Sequence, residues 1–195
     1  ALRKREAYFT DSYRLLHAEA DQLPGVIADK YGDYLAIQIR NIGMERYKEL
    51  LITALVEVIK PRGIFERSDF ESTQADILTR HVGLLYGELP PDQLIIEEHG
   101  IKYKVDIKKG QKTGFFFDQR DSRLWVRKLT PPNALALDAF AYTGGFALNM
   151  AKAGAAKVIA LDKDQDSVNL GLENAALNKL SNVEFINTYY EDYLK

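Results

Sequence analysis

From Ala134 onward, short apolar runs alternate with single stretches of helix length, and few folds accommodate that rhythm. The runs are ALALDAF (134–140), KVIALD (157–162) and VEFIN (183–187), and the spacing predicts helices over about 145–153 and 165–178. Strands separated by one helix each form a parallel sheet with right-handed crossovers. A complete doubly wound sheet uses about six strands. Three are present before Lys195, so the pattern reads as a domain cut in its middle.

The first half reads differently, as a small α+β unit. YRLLHAEA (13–20), GVIADKY (25–31) and DYLAIQIR (33–40) are apolar-rich runs broken by Pro24-Gly25 and Gly32-Asp33, the spacing of strands joined by tight turns. Residues 44–60 carry Tyr47, Leu50, Leu51, Ala54, Leu55, Val58 and Ile59 at helical spacing, and Pro61 stops the run. A strand is expected at 63–67 and a short helix at 71–82. LIIEE (94–98) and IKYKVDI (101–107) flank His99-Gly100, which predicts a β-hairpin with His99 in its turn. A helix over Asp118–Leu129 should end at Thr130-Pro131-Pro132.

Composition narrows the function classes. The chain has 195 residues, 46% hydrophobic and 28% charged, which is globular rather than disordered composition. No apolar run approaches the ~20 residues that span a bilayer, and no leader-like segment opens the sequence, so a soluble cytoplasmic protein is expected. There are no cysteines, which removes thiolate metal sites and a cysteine nucleophile from these residues. His17, His81 and His99 are too scattered for a metal triad and read as turn, packed or surface side chains. Residues 101–130 hold nine Lys or Arg (Lys102, Lys104, Lys108, Lys109, Lys112, Arg120, Arg123, Arg127, Lys128) against Asp106, Asp118 and Asp121. That local +6 leaves −8 elsewhere in a chain of net charge −2, and it reads either as a solvated face or as a stripe suited to phosphate or nucleic acid.

The chemistry concentrates in LDAFAYTGGFALNMA (Leu137–Ala151). A strand ends in Asp138, and Gly144-Gly145 lead a tight turn into a helix. Glycines there allow close backbone approach to a ligand, and the helix start offers amide groups to an anion. The next strand ends in Asp162, placed to accept hydrogen bonds from both hydroxyls of a ribose. The dinucleotide signature G-x-G-x-x-G is absent, since Phe146 and Ala147 stand where its third glycine would be. An acid before the turn opposes pyrophosphate but suits the ammonium of an amino-acid moiety, which favours S-adenosylmethionine over a nicotinamide cofactor. A plain structural βαβ turn is the bland alternative.

The runs GQKTGFFFDQRDSR (Gly110–Arg123), LDAFAYTGGF (Leu137–Phe146) and YRLLHAEADQLPGVIADKYGDYLAIQI (Tyr13–Ile39) together resemble the S-adenosylmethionine-dependent methyltransferases of large-subunit ribosomal RNA that act on carbon 5 of cytosine. The resemblance implies an α/β chain: a central α+β domain over 1–108, then over 109–195 the opening part of a Rossmann-like class I methyltransferase sheet. It places Thr113, Phe116, Asp118 and Arg120 beside the cofactor or bracing the first-strand turn. It places Asp138, Phe140, Tyr142, Thr143 and Gly144 in the loop around the methionine end, with Asp162 on the ribose. The aromatic side chains, Tyr190 among them, would pack on the cofactor or close its pocket. Where the family has an acid for the adenine amino group this chain has Tyr189, with Asp192 three residues on.

The resemblance further implies S-adenosylmethionine as cofactor, ribosomal RNA (23S) as partner, no membrane, and allows a homodimer. The family's catalytic cysteine falls outside these residues, so no catalytic residue and no metal ligand is assigned. Two readings from other classes stand beside this one: a non-catalytic RNA-binding module on a βαβ scaffold, and a nicotinamide-dependent oxidoreductase.

Overall fold

The computed structural model describes residues 10–69 and 81–195. The helix expected over 71–82 falls on residues outside that range up to position 80, and Val82 already belongs to a strand. The chain divides into two compact units that interleave in sequence. One comprises 1–96 and 105–117, the other 97–104 and 118–195.

The first unit is built on a five-stranded sheet. Its elements in chain order are β1 (Tyr13–His17), a single 3-10 turn (Ala18–Asp21), β2 (Val26–Tyr31), β3 (Tyr34–Ile39), α1 (Ile42–Glu45), α2 (Lys48–Ile59), β4 (Gly63–Arg67) and β5 (Val82–Gly87). The strands lie in sequence order and are antiparallel except β3 and β4, which run parallel across the α2 crossover. Leu35, Ile37 and Ile39 pack with Leu51, Ile52 and Leu55 of α2 to form the core. The expected helix over 44–60 is therefore two pieces. Asn41 caps the first by accepting from the Gly43 amide, and the longer helix starts only at Lys48. Its buried stripe is also narrower than the spacing suggested: Leu50 stays 67% and Val58 59% exposed, while Ile52, absent from the predicted face, is buried.

The K-T-G-F-F run lies against this sheet. Thr113 donates to Asp29 Oδ2 at 2.5 Å and shares a 3.0 Å hydrogen bond with the Tyr31 hydroxyl. Arg14 grips the same Asp29 through both oxygens. Phe115 and Phe117 are buried edge-to-face at 5.5 Å, so two of the three phenylalanines fill core.

A hairpin follows: β6 (Leu94–Glu98) and β7 (Ile101–Val105), turned by His99 and Gly100, both at positive φ as a two-residue type I′ turn requires. Its tip, Glu97–Lys104, belongs to the second unit. There a short 3-10 turn leads into α3 (Arg120–Leu129), then β8 (Leu135–Asp138), α4 (Gly145–Lys152), β9 (Lys157–Asp162), α5 (Gln165–Leu177), β10 (Val183–Asn187) and α6 (Tyr190–Tyr193). The three strands are parallel in the order β10-β9-β8, a Rossmann-like α/β arrangement. β8 is not the buried strand expected over 134–140. It lies at the sheet's edge, and Leu135 is 82% exposed. No helix among the described residues is long and apolar enough to cross a membrane.

Candidate cofactor loop

The carboxyl ends of β8 and β9 carry the two acids that the sequence singles out. Register pairs Asp138 with Ala160, so Asp162 reaches two residues further along the sheet. The loop between Asp138 and α4 is stitched to both. Asp138 Oδ2 accepts from the Ala147 amide at 2.9 Å, standing in for the side-chain cap that Gly144 cannot supply. Asp162 Oδ2 accepts from the Tyr142 amide at 2.8 Å, and its Oδ1 accepts from Asp164 at 3.0 Å. Ala141 and Gly144 complete the turn by donating to Leu161 and Ala141 carbonyls.

Burial raises the Asp138 carboxyl to about 6; the Ala147 and Phe140 amides pull it back, and the nearby Asp162 charge adds to the rise. A carboxylate so placed gains from any cation that comes against it. Of the amides expected to meet an anion at the start of α4, Ala147 is thus already committed to Asp138.

Gly144 is also required by local packing. Its φ is +89°, and a Cβ there would stand 2.6 Å from Phe185 Cζ. Gly171 on α5 flanks the same ring, where a Cβ would meet it at 2.3 Å. Gly145 is backed by the Arg123 side chain, 3.2 Å from where its Cβ would be. The side-chain directions of both turn glycines are therefore filled by protein.

Of the other residues singled out, Thr143 is buried and Tyr142 holds a left-handed φ of +48°. Phe140 is 73% exposed and its ring lies 5.0 Å from that of Tyr190. Thr113 and Phe116 lie in the first unit, Phe116 under the Lys112 ammonium at 4.2 Å, while Asp118 is exposed in the second. Arg120 is buried and donates to Glu98 Oε2 at 3.0 Å, beside Arg123, which holds both Glu98 oxygens at 2.7 and 2.9 Å. Burial alone would raise Glu98, yet the two guanidiniums outweigh it and hold the carboxyl below its ordinary value.

The local +6 disperses accordingly. Arg120 and Arg123 neutralise Glu98, Lys104 pairs with Glu173, and Lys108 with Asp92. Of the remaining cations, Lys109 and Lys112 belong to the first unit and Lys102, Arg127 and Lys128 to the second. Sequence reasoning missed Glu98, Phe185, Asn149 and Asn174. Asn149 carried a signal, as a lone amide within the apolar run FALNMA of a helix.

Among the described residues no three metal-ligating side chains come together. A family model described as S-adenosylmethionine-dependent methyltransferase matches residues 81–191. Ribosomal RNA large subunit methyltransferase I of Aliivibrio fischeri (strain ATCC 700601 / ES114) is 46% identical over 177 residues, which are 90% of this chain and 44% of that protein. A putative SAM-dependent methyltransferase from Streptococcus mutans superposes with a TM-score of 0.84 at 28% identity, covering 98% of this chain and 50% of that one. A second solved structure, a putative methyltransferase complexed with SAH, gives 0.82 at 28% identity over 94% of this chain and 47% of its own. The chain spans about half the length of the relatives it matches.

Proposed function

The chain belongs to the S-adenosylmethionine-dependent methyltransferase family, and from that premise we propose that its second unit holds the methyl donor of an enzyme that methylates carbon 5 of a cytosine in 23S ribosomal RNA. The supporting observation is the loop tied to two strand-end carboxylates, Asp138 through the Ala147 amide and Asp162 through the Tyr142 amide. A half-buried acid raised to about 6 fits the ammonium of the cofactor's amino-acid end, and a second acid on the next strand fits the ribose hydroxyls. Tyr142, Thr143 and Gly144 shape the loop between them, and Phe140 with Tyr190 supplies an aromatic wall. Arg120 acts as a brace through Glu98, and Thr113 as an anchor through Asp29. Asp118 stays near the cofactor in this reading.

When bound, S-adenosylmethionine supplies an electrophilic methyl group. What these residues contribute is its orientation, which is worth orders of magnitude in rate. Carbon 5 of cytosine becomes nucleophilic after a thiolate adds at carbon 6. The chain has no cysteine, so that thiolate is not among its residues. The proposed protein is cytoplasmic, binds ribosomal RNA and assembles as a homodimer. A nicotinamide oxidoreductase is disfavoured by the missing third glycine.

Calorimetry with S-adenosylhomocysteine, S-adenosylmethionine and NADH tests the assignment. Both sulfur nucleosides should bind and NADH should not. NADH binding alone would reverse it, and salt-sensitive RNA binding without any nucleoside binding would support the non-catalytic module.

A further inference from the structure

Two buried asparagines, one on α4 and one on α5, reach the glycine turn. Asn174 of α5 donates through Nδ2 to the Thr143 carbonyl at 3.2 Å and accepts at Oδ1 from the Lys104 amide of β7 at 2.7 Å. Asn149 of α4 donates to the Gly145 carbonyl at 2.7 Å and to the Tyr103 hydroxyl at 3.0 Å, and accepts from Arg127 Nε at 2.9 Å. Arg127 in turn donates to the His99 carbonyl at the hairpin tip, 2.8 Å away. Neither amide can be flipped. Each oxygen faces an N–H and each nitrogen faces a carbonyl, so turning the group over would set like against like.

The carbonyls of Thr143 and Gly145 are those on either side of Gly144. Both asparagines are essentially sealed from water, at 1% and 0% exposure, so each bond they lose leaves an unmet polar group. The two relays begin on one element, the tip of the β6–β7 hairpin, which lies outside the βαβ sequence altogether. A hairpin tip that reaches the peptide group before Gly144 and the one that opens α4 after Gly145 fixes the orientation of the turn between them.

We propose that Asn149 and Asn174 are positioning residues: they transmit the placement of the hairpin tip to the Thr143–Gly145 backbone, and so set the loop that receives the amino-acid end of the cofactor. The assignment of that loop rests on the function proposed above; the mechanical link does not.

The experiment compares Asn174→Asp and Asn149→Asp with the unaltered chain. Aspartate keeps the accepting oxygen and removes the donor to the turn. Ala175→Gly, which weakens α5 without touching either relay, serves as the control for general loosening. Amide hydrogen exchange at Thr143–Ala147 is the ligand-free readout, and both relay variants should speed it by about tenfold, the control far less. Binding of S-adenosylhomocysteine should weaken by about tenfold in the relay variants and less than twofold in the control, at a temperature where all four chains are folded. Unchanged exchange at the turn overturns the proposal. Faster exchange with unchanged affinity overturns its functional half. If the unaltered chain binds no S-adenosylhomocysteine, the cofactor assignment fails, and the exchange rates still decide the mechanical link.

Discussion

Asp138 and Ala147 are joined across nine residues of chain: the carboxylate that ends β8 accepts the third amide of α4 at 2.9 Å. One side chain thus closes the loop and caps the helix whose glycine N-cap has no side chain to offer. The same carboxyl is half-buried and raised to about 6, so the loop holds a charge that it only partly compensates.

The pH dependence follows from the sign of that shift. A carboxyl raised from 3.8 to about 6 binds its proton more tightly when folded. Its favourable contribution is full below the unfolded value and disappears as pH rises through 6, a loss of about 3 kcal/mol. Asp138→Asn keeps an acceptor for Ala147 and cannot ionise. It should melt higher than the unaltered chain at pH 8, with the gap closing toward pH 4. A gap that is the same at both values removes the buried charge from the account. Binding of S-adenosylhomocysteine to the unaltered chain at pH 6 should release protons, measurable by calorimetry in buffers of different ionisation enthalpy.

Glu98 carries the opposite sign. Its carboxyl is held low by Arg123 and Arg120 against the cost of burial, so its contribution is present above the unfolded value and lost as pH falls. Glu98→Gln leaves two buried guanidiniums facing a neutral amide and should destabilise the second unit by about 3–5 kcal/mol at pH 7. A melting curve within a degree of the unaltered chain would show that the arginines find other partners.

The parallel βαβ rhythm, the hairpin turn and the glycine loop were all legible, because each is written locally: a period, a pair of turn residues, a strand ending in an acid. What was not legible came from contacts between distant residues. Arg120 and Arg123 read as part of a basic stretch, and their pairing with Glu98 spans 22 and 25 residues of chain. The ring packed behind Gly144 is that of Phe185, 41 residues further along the chain. The Thr113 hydroxyl donates to Asp29, a partner 84 residues away in sequence. β8 is less buried than its apolar run suggests, with Leu135 82% and Leu137 41% exposed.

Gly144 and Gly171 flank one ring for different reasons, and a mutant cycle separates them. Gly171 has an ordinary backbone and is limited only by the 2.3 Å approach to Phe185. Gly144 has the approach and a φ of +89° as well. Gly171→Ala should cost about 1–3 kcal/mol, much of it recovered in a Phe185→Leu background. Gly144→Ala should cost at least as much and be recovered only in part, since shrinking the ring leaves the backbone strain in place. Equal recovery at both positions, read from denaturant midpoints, would mean that the strain is negligible.

Asp162 serves two amides at once, Tyr142 on Oδ2 and Asp164 on Oδ1, and an asparagine has a single oxygen to divide between them. Asp162→Asn should therefore lower stability by about 1–2 kcal/mol. Tyr142 is the residue exposed to the loss, because its left-handed backbone is held by that amide bond. Stability alone does not show that the carboxylate meets a sugar. The 2′-deoxy analogue of S-adenosylhomocysteine does: with Asp162 accepting from both ribose hydroxyls, the analogue should bind the unaltered chain about tenfold more weakly than the parent ligand. In the Asp162→Asn chain the parent ligand should itself bind weakly and the preference for the 2′-hydroxyl should shrink to about twofold. A preference of equal size in both chains would place the sugar against some other group, leaving Asp162 as a fastener of the loop.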